Sequence, residues 1–181
     1  NRLYAPKEKN WDSALSWWQS IKSDDNATYD DVVKIDASIV EPTITWGITP
    51  AQSVGINQKI PSKLEVNPDD KLITEEAYQY MGFKPGQLIK NIPIDVCFIG
   101  SCTNGRLSDL RVAAKIARSN KVAKNVKAFV VPGSEKVAKE AEEEGLDKIF
   151  LDAGFEWRAP GCSMCLAMNS DKLEGNQISA S

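Results

Sequence analysis

The sequence predicts an α/β fold: a three-layer α/β/α domain on a parallel or mixed sheet. Three observations point there. Two short apolar runs, IDVCFIG (94–100) and VKAFVV (126–131), are bounded by Pro93, Gly100 and Pro132-Gly133, as buried strands are. Between them, RLSDLRVAAKIAR (106–118) places Leu107, Leu110, Ala114 and Ala117 on one helical stripe. The connection of about 26 residues is long enough for a crossover helix, so 94–131 reads as a βαβ unit with parallel strands. The boundaries drawn from this are 1–92, an irregular α/β part packing on the core, and 93–181, the βαβ core; the alternative is one domain over 1–181.

In chain order, WDSALSWWQSIK (11–22) carries Trp11, Ala14, Leu15, Trp18 and Ile21 at helical spacing. YDDVVKIDASIV (29–40) alternates Val33, Ile35 and Ala37 with polar neighbours and predicts a strand. Pro42 and the Gly47–Pro50 segment leave room only for a short strand at Thr43–Trp46. Residues 52–72 hold Gly55, Pro61, Pro68 and several Asn and Asp, and predict a loop. A short helix is expected at 74–81, stopped by Gly82. After the βαβ unit, SEKVAKEAEEE (134–144) predicts a charged helix with Ser134 as N-cap and Gly145 as stop. LDKIFLDAG (146–154) predicts a further helix, and FEWR a brief strand leading into GCSMC.

The totals narrow the function. The 181 residues are 42% hydrophobic and 26% charged, with net charge −3, ordinary for a water-soluble domain. No Lys/Arg block marks a nucleic-acid partner. No run reaches the roughly 18 apolar residues of a membrane span. The polar start NRLYAPKEKN does not read as a signal peptide. Four cysteines do not make a disulfide scaffold, and they suit a reducing, cytoplasmic setting. The chain contains no histidine, which removes the commonest general base and the commonest zinc ligand.

Chemistry concentrates at two stretches. GSCTNGR (100–106) lies where a strand ends and a helix begins, the edge at which open α/β sheets bind ligands. A helix start also favours the thiolate of Cys102. The alternative there is a small buried cysteine in a turn capped by Asn104. In GCSMC (161–165), Cys162 and Cys165 form a CxxC pair that suits a redox disulfide, a zinc site or an iron–sulfur cluster. The thioredoxin type expects its pair after the first strand, not near the C-terminal end. A closed zinc site needs four ligands, and no second CxxC or His pair exists. Cys102, Cys162 and Cys165 give three thiolates, which in a cluster would leave one iron open. Two incidental loop cysteines remain the bland reading. Cys97, inside VCFI, reads as core. Of the five tryptophans, Trp46 beside its Gly/Pro loop is the one candidate for a functional role.

GSCTNGRLSDLR, VVPGS, EAEEEGLDKIFLDAGFEWRAPGCSMCLAMN and TWGITPAQ together resemble the isopropylmalate dehydratase (isopropylmalate isomerase) large-subunit family of the aconitase superfamily. The likeness runs collinearly from about residue 4 to 175. The SMCLAMN form resembles the bacterial and fungal isopropylmalate branch. The resemblance implies an aconitase-like iron–sulfur domain in which Cys102, Cys162 and Cys165 hold a [4Fe–4S] cluster. It implies a hydro-lyase that interconverts 2-isopropylmalate and 3-isopropylmalate in leucine biosynthesis, with a separate small subunit as partner and no role for nucleic acid or membrane. A homoaconitase- or citraconate-type hydratase and a non-catalytic metal-binding module are the alternatives. The resemblance further implies a middle piece of that subunit, with the histidine-bearing region before it and the arginine-bearing segment after it, and no activity in isolation; with its neighbouring lobes gone the site is more exposed, and the expectation is an isolated piece without its cluster when purified in air. Ile178, in GNQISAS, stands where the family usually has cysteine.

Overall fold

A computed structural model describes residues 5–167 and 170–181. Asn1–Tyr4 of the polar start, and Met168 and Asn169 of the GCSMCLAMN stretch, lie outside the described residues. The chain forms two compact units, Asn1–Val40 and Glu41–Ser181.

In the first unit, α1 (Lys9–Ser20) forms at the expected helical spacing and buries none of its residues. Trp11 and Trp18, seven apart on one face, meet edge to face at 5.8 Å. The strand predicted at 29–40 does not form. Residues 31–36 are irregular, and Ala37–Ile39 make a single 3₁₀ turn after Asp36, whose carboxylate accepts the Ser38 N–H. Alternation makes a strand only where a ladder partner exists, and none pairs with this stretch among the described residues.

The second unit opens with a hairpin of β1 (Thr43–Thr45) and β2 (Ser53–Gly55), antiparallel with Ile44 opposite Val54. β2 lies in the stretch predicted as loop. Trp46 follows β1 and lies in the core: 2% exposed, it stacks on Tyr78 at 5.6 Å among Ile60, Ala77, Phe83 and Ile89. Tyr78 belongs to α2 (Lys71–Met81), which ends as expected at Gly82 in the left-handed conformation glycine tolerates (φ 66°). The Tyr78 hydroxyl donates to the Pro61 carbonyl, closing this core over the loop. Ile178 packs partly buried on the same cluster.

Four parallel strands follow: β3 (Val96–Gly100), β4 (Lys127–Val131), β5 (Glu156–Trp157) and β6 (Ser179–Ala180), in the order β5-β4-β3-β6. The two apolar runs pair in register, Phe98 beside Phe129 and Ile99 beside Val130. Parallel strands are covered on both faces, which is why Ala128–Val131 are all buried. One face carries α3 (Leu107–Ala117), α4 (Glu135–Glu143) and α5 (Leu146–Ala153). Leu110, Ala114, Ala141, Leu146 and Phe150 from these helices close over Val130. The small alanines let the helices approach the sheet, and Phe150 fills the space between, stacked on Trp157 at 6.1 Å. The opposite face presents Val96, Phe98, Phe129 and Val131, with Met164 packed on them.

The helix caps follow from local chemistry. Ser134 Oγ accepts the Val137 N–H, as expected for an N-cap. At α3 the cap is Arg106 rather than Asn104: the Asp109 carboxylate accepts the Arg106 N–H at 3.1 Å.

Candidate metal centre

The loop carrying Cys102 is fixed by glycine. Gly100 ends β3 at φ 133°, and a Cβ there would lie 2.1 Å from the Val131 carbonyl oxygen. Only glycine accepts both that backbone and that approach. A Cβ on Gly105 would lie 2.3 Å from the Ser101 carbonyl oxygen and 2.8 Å from both Gly133 N and the Val131 carbonyl oxygen. The Gly133 N–H donates to the Gly105 carbonyl at 2.8 Å, so the loops leaving β3 and β4 touch through backbone alone. Their close contact holds Cys102 at the carboxyl edge of the sheet, just ahead of α3. Ser101 is buried, while Cys102 is exposed with its sulfur 3.8 Å from Thr103 Oγ1.

Cys162 and Cys165 sit on a loop leaving β5. Ser163–Cys165 form a 3₁₀ turn in which the Cys165 N–H donates to the Cys162 carbonyl at 2.9 Å. Both thiols are free and exposed. The two residues between them are anchored inward. Met164 packs on the sheet face, and Ser163 Oγ donates to Asp171 Oδ2 at 2.9 Å. Asp171 is buried and also pairs with Arg158 at 3.2 Å. Arg158 in turn donates its N–H to the Val130 carbonyl and lies over the Phe129 ring. Sequence reasoning missed Ser163, Arg158 and Asp171. They meet only through the fold, and no spacing signals their contact.

The donor set fits an iron–sulfur cluster chemically: three free, exposed sulfurs of the soft type such clusters take. Cys97 differs from these three: burial pushes its thiol up and disfavours the thiolate. As folded here, the three exposed sulfurs are not gathered. Among the described residues no three His, Cys, Asp or Glu side chains stand close enough together to hold a metal ion. Cys102 occupies the sheet edge, whereas Met164 draws the CxxC turn onto the sheet face. Among the described residues no helix is long and apolar enough to cross a membrane.

The profile of the aconitase family (aconitate hydratase) matches residues 1–181. The chain is 75% identical over all 181 residues to the 3-isopropylmalate dehydratase large subunit of Prochlorococcus marinus (strain MIT 9301). It is 66% identical over 180 residues to the protein of that name from Nostoc punctiforme, and 64% over 180 residues to that from Trichormus variabilis. The chain spans 39% of the length of the Prochlorococcus protein and 38% of the other two.

Proposed function

Because the chain belongs to the aconitase family, we propose that it is the cluster-bearing part of a 3-isopropylmalate dehydratase, with Cys102, Cys162 and Cys165 as the ligands of a [4Fe–4S] cluster. The observation that carries this reading is identity of 75% across the whole chain to a large subunit of that name. The exposure of these three thiols and the partial burial of the fourth support the ligand choice.

When bound, such a cluster with one iron free of protein ligands supplies a Lewis acid for a substrate hydroxyl and carboxylate. The chain's own residues do the holding. Gly100, Gly105 and Gly133 fix the Cys102 loop against the β4 loop, and the 3₁₀ turn presents Cys162 and Cys165 outward. The proposed reaction is the dehydration and rehydration that interconverts 2- and 3-isopropylmalate, as a cytoplasmic step of leucine biosynthesis. The chain contains no histidine and so offers no imidazole base at neutral pH. A small subunit is the proposed partner, by the "large subunit" name of the relatives. Alone, this chain is proposed to carry the cluster site, from which the isolated piece can lose its cluster, and to be inactive.

Anaerobic reconstitution tests the ligand set. Iron and sulfide equivalent to one cluster per chain are expected in the wild type and in Cys97→Ser. Cys102→Ser, Cys162→Ser and Cys165→Ser are each expected to lose most of it. Wild-type iron content in those three variants would contradict the assignment.

A further inference from the structure

We propose that Asp171 is a positioning residue for the Cys162–Cys165 pair, acting through the Ser163 hydroxyl; the metal-binding consequence rests on the cluster reading above. Ser163 has φ 47° and Ala167 has φ 51°, left-handed values that residues with a side chain rarely adopt. An isolated turn would relax out of them. The Asp171 carboxylate accepts the Ser163 hydroxyl at 2.9 Å from a buried position, 8% exposed. It is held there by Arg158 at 3.2 Å, whose guanidinium is fixed over Phe129 and paired with Glu156 at 2.9 Å. Strand β5 and the sheet core thus set the backbone of a turn eight residues before Asp171 in sequence. Both residues between the cysteines are tied inward, Ser163 by Asp171 and Met164 by the sheet, so both cysteines face out. A carboxylate accepting a hydroxyl hydrogen bond inside the fold is stronger than the same bond in water, which suits a group that must hold a strained turn.

The test is a double-mutant cycle on Ser163→Ala and Asp171→Ala, read by the alkylation rate of each cysteine in the reduced, metal-free chain at fixed pH. Each single variant is expected to change the Cys162 and Cys165 rates by about threefold or more, with Cys102 unchanged as the internal control. The double variant is expected to do no more than Asp171→Ala alone, since that variant already removes the Ser163 bond together with the Asp171–Arg158 pair. After reconstitution, each single is expected to lose iron about threefold faster than wild type. Unchanged rates at Cys162 and Cys165 would overturn the proposal. So would an equal change at Cys102, the mark of general loosening, or additive effects in the double. Should Asp171→Ala fail to fold, Ser163→Ala alone still decides, because it leaves the Asp171–Arg158 pair intact. Wild-type chain that takes up no iron, combined with the expected alkylation cycle, would remove the cluster reading while upholding the positioning role of Asp171.

Discussion

Gly105→Ala probes the contact on which the Cys102 loop depends. The added methyl would sit 2.3 Å from the Ser101 carbonyl oxygen and 2.8 Å from Gly133 N and the Val131 carbonyl oxygen. All three are backbone atoms, so no side chain can rotate away. Relief requires parting the β3 and β4 loops, which breaks the 2.8 Å bond from the Gly133 N–H to the Gly105 carbonyl. Overpacking of this kind costs about 1–3 kcal/mol. The broken backbone bond adds about 0.5–1.5 kcal/mol. Together they amount to roughly 1.5–4.5 kcal/mol, or a fall in Tm of roughly 3–18 °C for a chain of this size. Thermal unfolding followed by circular dichroism measures it. Gly161→Ala is the matched control. Its Cβ meets nothing within 4 Å, although it directly precedes Cys162. Its effect is expected within about 0.5 kcal/mol of zero. Equal Tm values for the two variants would refute the loop-to-loop contact.

Three further outcomes follow from burial. Cys97 is expected to react with alkylating reagents well behind the other three cysteines at pH 8, and all four to react alike in urea; mass spectrometry after timed quenching reads this. Its raised pKa means the fold favours the neutral thiol, so its stabilising contribution is full below the ordinary thiol value of 9.0 and is lost as pH rises past it toward the raised folded value. The denaturant midpoint should accordingly fall above pH 9, and less so in Cys97→Ala. Trp46→Ala is expected to cost about 3–5 kcal/mol by removing a buried aromatic stacked on Tyr78. Denaturant melts check it, and a loss under about 1 kcal/mol would return Trp46 to the surface.

Elements made by local chemistry were legible in the sequence. β3 and β4 showed as apolar runs closed by Pro and Gly, α4 by its Ser134 cap, and α2 by Gly82, because each signal lies within the element it marks or directly beside it. Elements made by a distant partner were not. Residues 29–40 have the alternation of a strand, yet no ladder partner exists among the described residues. β2 looks like a loop, yet pairs with β1 through register set by the intervening turn. The same division runs through the site. The place of Cys102 at a strand–helix edge was legible, since Gly100 and the stripe of α3 bracket it. The Asp171–Ser163 bond was not, because it needs Arg158 fixed on Phe129 first. Nor could residue types alone show that the CxxC turn lies on the sheet face, where Met164 holds it.

The central claim is that three thiolates hold a four-iron cluster with one iron lacking a cysteine ligand. The Mössbauer spectrum of protein reconstituted anaerobically with iron-57 reads it most directly. Three cysteine-bound irons and one iron with a different ligand give two resolved sites in a three-to-one ratio, and this is the expected result. A single set of equivalent irons, a two-iron spectrum, or an unchanged spectrum in Cys102→Ser would contradict it.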